Sequence, residues 1–268
     1  MASLPPPPGP IWTPLPPPPP FPSRRPRGAA VIAVVVAVLL AISGVVLFSN
    51  PDAPRGSFRF LDRTAAGLPV RWNPCEPIHY VANLEDAPVG ALEDLQGAAR
   101  RVSEATGIEF VYDGETEATV EFQTHVRYIV STMQGGRWLP VLVIWLPHDE
   151  FMLLDSQEGV VAFAHPQPGP ADLEDQYVSG LIVVDAEAGL PSGFDYRFSD
   201  GLVLMHELGH LVGLGHVTDP SELMFTSQRL PGNPISDWGP GDREGLRELG
   251  REAGCLSRVR TSSPSTSP

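Results

Sequence analysis

The sequence predicts an α+β domain behind a single membrane-spanning helix, and three observations carry that prediction. Twelve of the 31 prolines crowd into residues 1–22, where almost nothing else builds a core. Residues 29–48 (AAVIAVVVAVLLAISGVVLF) are apolar or small without a charge, about 30 Å of helix and hence a bilayer's hydrocarbon thickness. Beyond residue 70 one amphipathic helical stretch is followed by β-branched and aromatic runs, then by two helical stretches, the order of an α+β chain.

Residues 1–28 form a proline-rich tail whose LPPPPGP and LPPPPPFP runs favour extended polyproline II, either as a passive spacer or as a ligand for a proline-reading cytoplasmic module. Arg24, Arg25 and Arg27 precede the apolar segment and an acidic domain follows it, which puts the N-terminus in the cytoplasm and the domain outside the cell membrane. The alternative is a cleaved secretory signal, but the apolar run is long for one and Phe48-Ser49-Asn50-Pro51 offers no small-x-small site. Both readings export the domain. Residues 49–70 read as a juxtamembrane linker and residues 256–268 as a disordered C-terminal tail.

All 32 acidic residues lie after residue 50 and the formal net charge is −14, which argues against nucleic acid as a partner. Every basic residue is Arg, a bias that with abundant Ala, Gly and Pro points to a GC-rich bacterial gene. Within the domain at 71–255, Ile78–Val81 reads as a strand and 90–105 as a helix with Leu92, Leu95, Ala99 and Val102 on one face. IEFVY (108–112), ATVEFQ (118–123), LPVLVIWL (139–146) and GLIVVD (180–185) read as further strands. Ser199 or Asp200 caps a helix from Gly201 to about Val212, ended by Gly213 and Gly215. A last helix runs from about Gly241 to Leu249, after Pro240.

Residues 206–216 (HELGHLVGLGH) fit the pattern H-E-x-x-H-x-x-G-x-x-H at every fixed position. A chance match in this composition is on the order of 1 in 10⁴ to 10⁵. His206 and His210 are four apart on a helix, so their imidazoles share a face. Gly213 is free to take positive φ, which lets the chain turn and return His216 as a third ligand. Three neutral nitrogens leave a fourth position for water. Zn²⁺ suits that set and brings the pKa of such a water to about 7. Glu207, next to the first ligand, is the candidate general base.

Met224 lies eight residues after His216, in Ser221-Glu222-Leu223-Met224-Phe225, and with it the sequence resembles the metzincin metalloproteases, closest to the matrixin-like branch typified by matrix metalloproteinases. Val217 rather than Asp follows the third histidine, unlike the adamalysin pattern, and no Tyr follows Met224 as in astacins. The resemblance implies a twisted, mixed five-stranded sheet with three helices, and Met224 in a tight turn as an apolar floor under the metal. It also implies endopeptidase cleavage of an extended polypeptide laid antiparallel on an edge strand, with an apolar pocket for the residue after the cut. LPVLVIWL falls where the family has its edge strand, GVVAFAHPQP resembles the loop after it, GLIVVDAE the next strand and DREGLRELG the last helix.

Three departures from the family bear on cofactors. Phe163 and Val183 stand where histidines for a second, structural zinc are expected, and the neighbouring His165 reads as a surface residue, so one zinc is expected. Asp185 and Glu187 resemble part of a calcium-binding loop, or else a solvated acidic one. Cys75, in Asn73-Pro74-Cys75-Glu76-Pro77, lacks the setting of an inhibitory propeptide cysteine. In an oxidising exterior Cys75 and Cys255 form a disulfide across the domain ends, or else remain two free thiols. Two other functional readings stay open: an inactive metal-binding or interaction module on the same fold, and a scaffold acting through its proline-rich tail.

Overall fold

Six consecutive large apolar residues leave a strand no solvent face, so VLVIWL belongs in the middle of a sheet. In the computed structural model Val141–Leu146 is buried throughout its length. The structure describes residues 56–120, 133–134, 137–155, 159–195, 198–226 and 235–256. The proline-rich tail, the apolar segment 29–48 and the tail from 257 onward lie outside them. Among the described residues no helix is long and apolar enough to cross a membrane.

The main sheet comprises β1 (Ile78–Asn83), β2 (Phe110–Glu115), β3 (Val141–Leu146), β4 (Ala162–Pro168) and β5 (Tyr177–Asp185), in the order β2-β1-β3-β5-β4. β1 is parallel to β2 and β3, β3 is parallel to β5, and β4 alone is antiparallel. The mixed five-stranded sheet is therefore present, with one correction. LPVLVIWL is not the edge strand but a central one, and the edge is β4, formed by the segment expected to be a loop. Pro166 and Pro168 account for the misreading: they look like strand breakers, yet a proline without an N–H is tolerated on an edge. No strand covers 118–120, and the rest of ATVEFQ lies outside the described residues.

The described helices are α1 (Ala91–Thr106), α2 (His148–Leu154), α3 (Asp200–Val212) and α4 (Pro240–Leu249), four where three were expected. The additional one, α2, is two turns long and carries Asp149 and Glu150 in its first turn, where they complement the helix dipole. Alternation along β3 divides the interior. Val141, Val143 and Trp145 join a main core with Leu95 and Val102 of α1 and Leu202, Met205 and Leu208 of α3. Leu142, Ile144 and Leu146 face a second cluster, closed by Phe151 of α2 with Leu181 and Val183.

Every residue of α3 from Gly201 to Val212 is buried. Ser199 occupies its N-cap position, although the hydroxyl makes no capping bond. Gly213 ends the helix at φ 118°, with its N–H donated to the carbonyls of Gly209 and His210.

The linker expected at 49–70 is also corrected, because from Gly56 the chain is docked on the domain. Arg59–Phe60 pairs antiparallel with Leu214–Gly215, and Phe60 and Val70 enter the main core. Apolar residues at these positions gain more from burial than from serving as a spacer. A disulfide between Cys75 and Cys255 joins the segment before β1 to the chain just after α4.

Candidate metal centre

One turn of α3 separates His206 from His210, and both are buried. His206 donates from Nδ1 to the Leu223 carbonyl, and His210 from Nδ1 to the Leu214 carbonyl, each at 2.8 Å. Those carbonyls assign the ring protons to Nδ1 and leave each Nε2 as an acceptor. Beyond Gly213 the chain turns back, and His216 brings its Nε2 to 3.1 Å from the Nε2 atoms of both other histidines. Among the described residues this is the one group of three or more ligand side chains, its ligand atoms all within 4.8 Å of one another.

Desolvation favours the neutral form of all three imidazoles. Desolvation, then the neighbouring His216, lowers His210 to about 4. Desolvation, then His210, holds His206 well below 6.5, and desolvation lowers His216. A proton on His216 Nε2 can bond to only one of the two facing acceptors, whereas a cation at the centre satisfies all three. The donor set therefore fits a metal such as zinc.

Glu207 is buried beside this cluster. The main-chain amide of Ala164 in β4 bonds to its carboxyl group, while Oε2 is buried without a hydrogen-bond partner. Burial pushes the group up to about 8, against the pull of that amide. Glu207 and the three histidines line a cleft of about 770 Å³ whose apolar walls include Leu61, Val161, Phe198, Val203 and Phe225.

Met224 is buried under the helix, where a Cβ added at Gly209 would come within 2.7 Å of its sulfur. A side chain at the second variable position of the histidine motif would therefore have to displace Met224. Val217 donates to the Met224 carbonyl, closing the turn behind His216. Two buried acids clasp this turn to α4. Asp242 accepts the N–H groups of Leu223, Met224 and Gly239, and Glu222 accepts those of Gly241 and Asp242. Because the Leu223 carbonyl holds His206, Asp242 positions the peptide that orients this imidazole.

The remaining expected residues lie elsewhere. Asp185 is buried, and its two oxygens accept from the Glu187 amide at 2.9 Å and face His148 Nδ1 at 2.7 Å. Phe163 and Val183 are register partners packed in the second apolar cluster, and His165 is exposed on β4. Cys75 and Cys255 are bonded to each other.

A family model described as Matrixin, a peptidase family, matches residues 93–249, more than half of the chain. This chain belongs to the matrixin family. The matrixin match starts in α1 and ends on the last residue of α4, so it takes in the histidine cluster, Glu207 and the Met224 turn. The segment at 56–61 and both disulfide cysteines lie outside it. Sequence reading did not reach Asp242, Glu222, the Ala164 amide or Leu61. Asp242 had a signal as the third residue of a helix that begins with proline, but its reach to Leu223 had none.

Proposed function

We propose that this matrixin is a zinc-dependent endopeptidase acting on extended polypeptides, exported and held at the cell membrane by residues 29–48. The observation that supports it best is the convergence of three neutral imidazole nitrogens beside a buried carboxyl group with an unpartnered oxygen. His206, His210 and His216 would hold the ion. Zinc bound there supplies Lewis acidity toward a peptide carbonyl and brings the pKa of a water to about 7.

The rest is the work of this chain's own side chains. A cation close to Glu207 lowers its proton affinity, so the carboxylate is the form present at neutral pH. Oε2 takes the proton of the attacking water as the new C–O bond forms, and Glu207 returns it to the amide nitrogen as the C–N bond breaks. The Ala164 amide keeps the carboxyl group in place for both transfers. β4 offers its outer edge to an extended substrate, although Pro166 and Pro168 remove two donors from one end. Val203, Phe198 and Phe225 favour an apolar side chain in the cleft.

An inactive metal-binding module is the second reading, favoured by nothing beyond the same fold. The test uses the full-length chain in mild detergent with a quenched, unstructured polypeptide. Cleavage should vanish on chelation, return with added zinc, and be lost in Glu207→Ala. A folded, zinc-loaded chain without cleavage would contradict the proposal in favour of the binding module. Deleting residues 1–22 should leave hydrolysis unchanged, whereas its loss would assign the tail a share in it.

A further inference from the structure

We infer that Phe60 and Leu61 are positioning residues for the third histidine, the N-terminal segment acting as a strap across the turn from which His216 enters the site. The inference rests on the zinc-peptidase reading above. His206 and His210 ride on a buried helix, but His216 is exposed and follows only a two-residue strand.

The strap makes that strand. Arg59 pairs with Gly215 and Phe60 with Leu214, and the Leu61 N–H donates to the Gly213 carbonyl at 2.7 Å. A Cβ at Gly215 would sit 3.2 Å from the Phe60 carbonyl oxygen, so glycine there allows the close approach. Aromatic anchors hold the strap down. Phe60 is buried, meets Phe58 edge-on with centroids 5.5 Å apart, and lies beneath the Arg63 guanidinium at 4.8 Å. Phe58 in turn occupies the space left by the missing side chain of Gly245 on α4.

Immediately beyond His216, Val217 bonds to the Met224 carbonyl. His216 is therefore a single residue between two main-chain pairings, one made by the strap and one by the Met224 turn. Leu61 also lines the cleft beside the histidines and is 40% exposed, which places an apolar wall from outside the family match next to the substrate.

Two substitutions at one position separate the main-chain role from the side-chain role. In the full-length chain, Leu61→Pro removes the N–H given to Gly213, and Leu61→Ala keeps it while removing the wall. Zinc affinity is read by chelator competition below the melting transition, and ligand geometry by the absorption spectrum of the Co²⁺ form. Leu61→Pro should weaken zinc by about 10-fold or more, in the range for losing a group that orients a ligand, and should alter the Co²⁺ spectrum. Leu61→Ala should match the native chain in both but raise KM several-fold at unchanged kcat. If Leu61→Pro does not fold, Phe60→Ala tests the same link, with Phe60→Leu expected to restore affinity. Native zinc affinity and an unchanged Co²⁺ spectrum in a folded Leu61→Pro or Phe60→Ala chain would overturn the positioning role, and an unchanged KM in Leu61→Ala would overturn the wall. A native chain that binds no zinc would overturn the peptidase reading, and this inference with it.

Discussion

Glu207 combines burial, one amide contact and one unpartnered oxygen, and the proposed proton transfer rests on that combination. Glu207→Gln keeps the shape but cannot accept a proton, and the hydrolysis rate should fall by roughly 10²–10⁴-fold at unchanged zinc content. Loss of zinc instead would move the residue's role from proton transfer to metal binding. Gly209→Ala forces a methyl group against the Met224 sulfur and should destabilise the fold by about 1–3 kcal/mol, measured by denaturant melts. The convergence of His206, His210 and His216 was legible because helical spacing and a glycine turn dictate where they meet. The links of Asp242 and Glu222 between the Met224 turn and α4 were not, since those amide partners lie 18 to 20 residues from the acids in sequence.

At the scale of elements, α2 and β5 are joined by His148 and Asp185. The hydrogen bond to Asp185, and then its charge, raise His148 above its ordinary 6.5. A raised folded pKa means that the pair contributes in full below about 6.5 and that the contribution is lost as pH rises through the folded value. Thermal melts should therefore show His148→Ala losing more stability against the native chain at pH 6 than at pH 9. An equal loss at both would reduce the contact to packing. Element identity was legible wherever an apolar face or a proline or glycine boundary marked a helix, as in α1, α3 and α4. β3 was read as a strand but given the wrong place in the sheet, since an apolar run does not say which of its sides are paired, and β4 was missed because edge prolines mimic a loop. Also missed was α2, seven residues with polar groups in the first turn and too short for a helical period to stand out.

For the whole molecule, the disulfide closes nearly the entire domain, its cysteines standing 180 positions apart in sequence. Replacing Cys75 and Cys255 together by Ser should lower stability by about 2–5 kcal/mol in denaturant melts, while an unchanged midpoint would make the bond dispensable. Arg24, Arg25 and Arg27 before the apolar segment are the basis of the proposed exported orientation. Digestion of intact cells with an added protease should then remove the domain and spare the proline-rich tail, and protection of the domain would reverse the orientation. At this scale the sequence foretold the sheet and the disulfide but missed the strap, because Phe58, Phe60 and Leu61 are apolar residues in a stretch that otherwise reads as a spacer.

The proposed peptide hydrolysis depends on one ion at the three histidines. The most direct measurement is the rate of polypeptide cleavage by the full-length chain as a function of bound zinc, titrated from zero. The rate should climb in proportion to zinc and level off at one equivalent per chain. Cleavage that persists without zinc, or none at one bound equivalent, would contradict it.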